Sequence, residues 1–143
     1  DADTYGRIVN RLLKKWQTAK KLVPPPELYQ KKNQHENGVM FFGTSTHAAK
    51  EAIDLLREKS VFVDALRIRS FPFNKTIEEF IAAHEKVFVI EQNRDGQMRS
   101  LLINELSVFP KKLIAVLNYD GMPITADKIL TQITKNMAVA ITN

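Results

Sequence analysis

The 143-residue sequence contains no cysteine. Disulfides, thiolate zinc sites, cysteine-ligated iron–sulfur clusters and a cysteine nucleophile are therefore excluded from it. Glycine is scarce at five residues, and neither a dinucleotide-binding fingerprint nor a lysine-ended phosphate loop is present. Long apolar runs are missing as well. Runs such as residues 39–42, 87–90 and 113–117 fall far short of a membrane-spanning helix. The three histidines, His35, His47 and His84, form no i, i+4 pair and share no carboxylate motif, so a metal site is not expected. Ser45 lacks a Gly-x-Ser-x-Gly setting, which leaves a hydrolase unsupported. What is present is an ordinary domain composition, 44% hydrophobic and 26% charged. A chain of this size buries roughly two thirds of the surface that its unfolded form exposes, and nothing in it signals disorder.

The formal charge is +5, and it is unevenly placed. Residues 1–37 hold eight basic side chains (Arg7, Arg11, Lys14, Lys15, Lys20, Lys21, Lys31 and Lys32) against Asp1, Asp3, Glu27 and Glu36, a net +4. The remaining 106 residues are nearly neutral, with thirteen basic and twelve acidic. This divides the chain into an N-terminal extension, 1–37, and a domain, 38–143. Within the extension, residues 4–22 read as a helix, because Ile8, Leu12, Trp16 and Ala19 make one apolar stripe. A basic amphipathic helix can bind a membrane surface or an acidic partner. A solvated face on a helix docked to its own domain is the expected state. Nucleic-acid binding is not expected, because the basic residues are spread around the helix with few aromatics between them. Pro24, Pro25 and Pro26 stop the helix, and residues 27–37 follow as a polar linker or wrapping arm.

From residue 38 onward, short apolar runs alternate with amphipathic stretches. Strands are expected at 39–42, 61–68, 87–90 and 113–117, the third of them buried on both faces. Helices follow over 47–59, capped by Ser45 or Thr46; from Asn74 through Ile77, Phe80, Ile81 and His84; over 97–106; and from Thr125 through Ile129, Ile133 and Met137. Four consecutive βα units specify an α/β fold. They imply three layers, helices on both faces of a mostly parallel, doubly wound sheet.

Ligands of such sheets bind at the carboxyl ends of the strands. Gly43, Thr44, Ser45 and Thr46 open a helix and, with Arg69, form a candidate anion site. That site would suit a small acidic regulator, a nucleotide or part of coenzyme A, which is the alternative reading of the chain. The Phe71-Pro72-Phe73 stretch reads as a rigid packed turn. Glu91, Gln92, Asn93, Arg94 and Gln97 make the most polar edge, and Tyr119 and Asp120 lie in the last loop. Glu91 can serve as a buried carboxylate, but no His or Lys lies nearby in sequence to complete an acid/base pair. These seven residues are therefore contact candidates toward another domain or subunit. No catalytic set is evident. By residue chemistry alone this is an accessory domain of an enzyme.

Five motifs occur in order: Pro-Pro-Pro-Glu-Leu-Tyr at 24–29, Gly-Val-Met-Phe-Phe-Gly-Thr-Ser at 38–45, Ala-Leu-Arg-Ile-Arg-Ser-Phe-Pro-Phe at 65–73, Val-Ile-Glu-Gln-Asn-Arg-Asp-Gly-Gln-Met at 89–98 and Tyr-Asp-Gly-Met-Pro-Ile at 119–124. Together they resemble the C-terminal part of the alpha subunit of 2-oxoacid:ferredoxin oxidoreductases, most nearly the 2-oxoglutarate type with a fused gamma–alpha chain. The resemblance covers residues 5–133 and implies a transketolase C-terminal-like domain. It implies a cytoplasmic complex that decarboxylates a 2-oxoacid on thiamine diphosphate and Mg²⁺. That complex forms an acyl-coenzyme A and sends electrons through iron–sulfur clusters to ferredoxin. The partners it implies are the upstream thiamine-binding domain of the same subunit and the beta subunit; a homodimer is also compatible. The Gly-Asp-Gly motif for thiamine diphosphate is absent, so this part is expected to bind no cofactor and to be inactive alone. Its length, and its lack of an initiator Met, lead to the expectation of a piece of a longer chain.

Overall fold

The computed structural model describes residues 1–29 and 35–141. Residues 30–34, which include Lys31 and Lys32 of the expected arm, lie outside the described residues. In chain order the elements are α1 (Ala2–Leu22), β1 (Glu27–Leu28), β2 (Asn37–Phe42), α2 (Thr46–Glu58), β3 (Asp64–Ile68), α3 (Lys75–Ala83), β4 (Lys86–Glu91), α4 (Gln97–Leu106), β5 (Leu113–Leu117) and α5 (Ala126–Ile141). The sheet runs β1-β3-β2-β4-β5. β2, β3, β4 and β5 are parallel, and β1 is antiparallel to β3.

Alternation along the strands sorts the core into two halves, because successive side chains point to opposite faces. Val39, Phe41, Phe88 and Ile90 join Ala52, Leu56, Ile129 and Ile133 beneath α2 and α5. Met40, Val87 and Val89 join Ile77, Phe80, Ile81 and Leu102 beneath α3 and α4. Helices thus cover both faces of a doubly wound sheet, the three-layer α/β fold expected from the sequence.

Several details differ from the sequence reading. The strand expected over 61–68 begins only at Asp64. Ser60 turns to φ +60° at the end of α2, and Val61 N–H returns to Leu56 O at 2.9 Å. Residues 61–63 are therefore used up crossing from helix to sheet. Neither Ser45 nor Thr46 caps α2. Ser45 makes no capping bond, and the Thr46 hydroxyl donates back to Gly43 O at 2.7 Å. Asn74 occupies the N-cap position of α3 but caps nothing with its side chain; its carbonyl receives Ile77 N–H instead. Thr125 does cap α5, accepting from Lys128 N–H at 3.3 Å. Within the extension, residues 27–28 become an edge strand. The helix α1 is not docked as expected: none of its residues is buried, and its ring contact with the domain is Trp16 edge-on to Phe71 at 5.2 Å.

The β5 margin of the sheet is closed by side chains. Gln132 accepts Leu117 N–H at 3.1 Å and donates to Leu117 O at 3.0 Å, imitating one more strand. Arg99 donates to Leu113 O at 2.6 Å on the same strand.

In the middle of the sheet, β2 passes so close to α3 that only glycine fits at its start. A Cβ on Gly38 would lie 2.7 Å from Phe80 Cε1 and 3.2 Å from His84 Cγ. Both rings are buried and cannot swing away. Gly38→Ala is therefore expected to destabilise the fold by about 1–3 kcal/mol, the usual range for overpacking. Urea denaturation checks this, and an unchanged midpoint would contradict it.

Candidate functional site

From β2 the chain steps outward to β3 on one side, and from β4 to β5 on the other. The order reverses between β2 and β4, the place where open α/β sheets hold ligands. Here that place is bridged by side-chain hydrogen bonds. Gln92, just past β4, donates from Nε2 to Thr44 Oγ1 at 2.8 Å and to Ser45 Oγ at 3.4 Å. Its Oε1 accepts Ile124 N–H at 3.0 Å. One amide thus ties the loops after β2, β4 and β5 together and engages two of the three hydroxyls of the candidate anion site.

Glu91 is fully buried and works inside the loop that follows it. Gly96, the N-cap of α4, adopts φ +61° and has no side chain with which to cap the helix. The exposed amides of the first turn need other acceptors. Asn93 Oδ1 accepts Gln97 N–H at 3.3 Å and Asp95 N–H at 3.2 Å. Glu91 accepts Met98 N–H at 2.7 Å and Arg99 N–H at 2.9 Å, one on each oxygen. Asn93 Nδ2 also donates to Glu91, at 2.9 Å. The carboxylate that sequence singled out is a helix cap supplied from the strand end, with no free face toward a neighbour. Arg94 and Gln97 are exposed, Arg94 paired with adjacent Asp95 at 2.7 Å.

The last loop is built around Asn118, which sequence reasoning did not single out. Its amide donates to Met122 O at 2.7 Å and to Asp120 Oδ1 at 3.3 Å. Lys128, on the first turn of α5, donates to Asn118 Oδ1 at 3.1 Å and forms an ion pair with Asp120. Eight residues separate Lys128 from Asp120, and only the turn at Gly121 (φ +82°) brings them together. The Lys128 ammonium, with Met122 N–H, holds the Asp120 carboxyl below the usual carboxylate range. The folded state thus favours the ionised form; its contribution is present above the ordinary value and is lost as pH falls through the lowered one. Lys128→Gln is expected to return the Asp120 midpoint toward the ordinary value in an NMR titration. A midpoint that stays put would contradict the pairing.

Tyr119 and Met122 stand out from this loop, each about two-thirds exposed (66% and 67%). They edge an open groove of about 530 Å³ that Thr44, Gln92, Asn118 and Ile124 also line. Arg69 is exposed on the loop after β3. The structure therefore joins Thr44, Ser45, Gln92, Tyr119 and Asp120 along one edge, and turns Glu91 and Asn93 inward. Among the described residues, no cluster of three or more His, Asp and Glu suits a metal ion, and no helix is long and apolar enough to cross a membrane.

The fold defines a three-layer, doubly wound α/β domain whose carboxyl-edge loops are bonded to one another. The family model described as pyruvate:ferredoxin oxidoreductase core domain II matches residues 36–129, and the chain belongs to that family. It is similar to 2-oxoacid:ferredoxin oxidoreductase 2, subunit alpha, of Aeropyrum pernix, at 33% identity over 85 residues; these are 58% of this chain and 13% of that protein. Among solved structures it is similar to 2-oxoglutarate:ferredoxin oxidoreductase from Magnetococcus marinus, determined with 2-oxoglutarate, coenzyme A and succinyl-CoA bound. There the TM-score is 0.83 at 19% identity, over 96% of this chain and 24% of that one. A split-gene transketolase, an inactive beta4 tetramer, matches with a TM-score of 0.64 at 18% identity, over 81% of this chain and 43% of that one. The chain thus spans a quarter or less of the length of the two oxidoreductases, and its transketolase-like fold and oxidoreductase family are those expected from the sequence.

Proposed function

We propose that residues 38–143 form the C-terminal assembly domain of a 2-oxoacid:ferredoxin oxidoreductase alpha subunit. Its carboxyl edge rests against the thiamine-binding domain of that subunit and against the beta subunit. The whole complex would convert a 2-oxoacid, which we take to be 2-oxoglutarate, to an acyl-coenzyme A and pass the electrons to ferredoxin. The likeness to the Magnetococcus marinus enzyme supports that choice of acid. The reading rests on one observation: Gln92 spends its amide on the loops after β2 and β5, at the crevice where a doubly wound sheet would hold a small ligand.

The cofactors of such a complex do not fit these residues. Iron–sulfur clusters would need cysteines, and there are none. The buried carboxylate best placed to hold Mg²⁺ at the edge, Glu91, is committed to the amides of α4. No step of the reaction is therefore assigned to this chain, whose residues hold loops in place and present Tyr119 and Met122 to a neighbour. Isothermal titration of the chain with thiamine diphosphate, Mg²⁺ and 2-oxoglutarate is expected to give no binding heat. A micromolar affinity for thiamine diphosphate would overturn the assignment.

A further inference from the structure

The extension carries a surface that its own domain does not cover. Tyr5, Ile8, Leu12 and Trp16 recur at spacings of three, four and four, so they share one face of α1. At 1.5 Å per residue they span about 16 Å of helix. Only the lower end of this stripe is occupied. Trp16 meets Phe71 edge-on at 5.2 Å, and Phe71 meets the buried Phe73 at 5.1 Å, a chain of rings leading into the core. Above it Leu12, Ile8 and Tyr5 are 59%, 52% and 73% exposed. Large apolar side chains at this spacing are the anchors by which an amphipathic helix seats in a groove. Arg7 and Lys14 lie on the opposite face of the helix, which leaves the stripe itself apolar.

The pose of the helix is itself informative. The superposition on the Magnetococcus marinus chain covers 96% of this chain. It leaves out about six residues, so most of the 21-residue α1 lies inside it. The match spans only 24% of that chain, so a body outside the match is available there to cover a helix with no buried residue.

We infer that the Tyr5–Ile8–Leu12–Trp16 stripe docks into an apolar groove on the remainder of the same subunit polypeptide. This rests on the reading of the chain as part of a longer alpha subunit. α1 then joins two folded bodies, anchored to this domain through Trp16 and Phe71 and to the other through Leu12, Ile8 and Tyr5.

The test uses the full-length subunit, co-expressed with its beta subunit, carrying Ile8→Ser with Leu12→Ser. Leu13→Ser is the control, since Leu13 is equally exposed (58%) but turned about a quarter of the way round the helix from the stripe. Limited proteolysis between residues 22 and 36 is expected to accelerate tenfold or more in the double variant and not in the control. In the isolated 143-residue chain the same double variant is expected to leave the melting temperature unchanged. Equal cleavage rates in the full-length proteins would overturn the inference. So would an isolated wild-type chain that is a dimer by light scattering and becomes a monomer in the double variant, or one that sediments with anionic vesicles through the stripe. Failure of the wild-type subunit to co-purify with the beta subunit would count against the assembly reading alone, because proteolysis of the alpha subunit still reports on α1.

Discussion

Asp64→Ala is expected to lower the folding free energy by about 3 kcal/mol, because each buried hydrogen bond to a charged acceptor contributes about 1.5–3 kcal/mol. Asp64 begins β3, and its side chain is almost completely buried. Its Oδ2 lies 2.9 Å from His84 Nε2 and accepts His35 N–H at 3.2 Å. The other ring nitrogen of His84 lies 2.6 Å from Phe80 O. The ring is thus held on both sides, by the carboxylate and by a backbone carbonyl. Removing the carboxylate strands that ring inside the core, packed against Phe80 at 4.3 Å between centroids. It also frees the chain just before β2 from one of its ties, the other being Glu85 N–H on Glu36 O at 2.8 Å. Adding His84→Phe to Asp64→Ala removes the stranded polar ring, so the double variant is expected to regain part of the loss. Guanidinium denaturation of the three variants decides it. A double variant less stable than Asp64→Ala alone would show that the stranded ring is not the main cost.

Glu91→Ala is expected to cost about 3 kcal/mol, because each buried hydrogen bond to a charged acceptor contributes about 1.5–3 kcal/mol and the freed amides stay in place. The carboxylate also places a full negative charge at the amino end of α4, where the peptide dipoles favour it. Its loss leaves Met98 and Arg99 N–H without their acceptors. Gly96 can supply no substitute. Arg99 sits on that first turn and reaches Leu113 O and Pro110 O, so fraying would spread to the start of β5. Glu91→Gln is expected to fall between, since one amide oxygen can still accept while its NH₂ is set against a backbone donor. Hydrogen exchange at Met98 and Arg99 is the direct readout. Protection equal to wild type in Glu91→Ala would remove the capping role.

The layered fold was legible because each of the four parallel strands carries its own apolar run and each following helix its own stripe. The edge strand β1 was not: two residues, Glu27 and Leu28, are too few to show a period, and they pair with β3 only because the proline stretch delivers them there. The role of Glu91 was half legible. Its position at the end of a buried strand marked it, but the bonds it makes run seven and eight residues ahead. They depend on the left-handed turn at Gly96. The amphipathic face of α1 was plain in the spacing, yet spacing tells which side is apolar and not what lies against it. Lys128 carried no local signal, because its partners Asn118 and Asp120 belong to a loop that must fold back upon it.

The margins of the sheet also bear on how copies of this chain can meet. An open edge strand invites another backbone to pair with it, and from there sheets can grow into fibres. On β5, Gln132 and Arg99 already occupy outward-facing peptide groups at both ends of the strand, and on the far side β1 offers two residues only. Contacts with a neighbour are therefore expected through side chains and not through strand pairing. Such contacts can be altered one residue at a time, with the ladder beneath them left as it is.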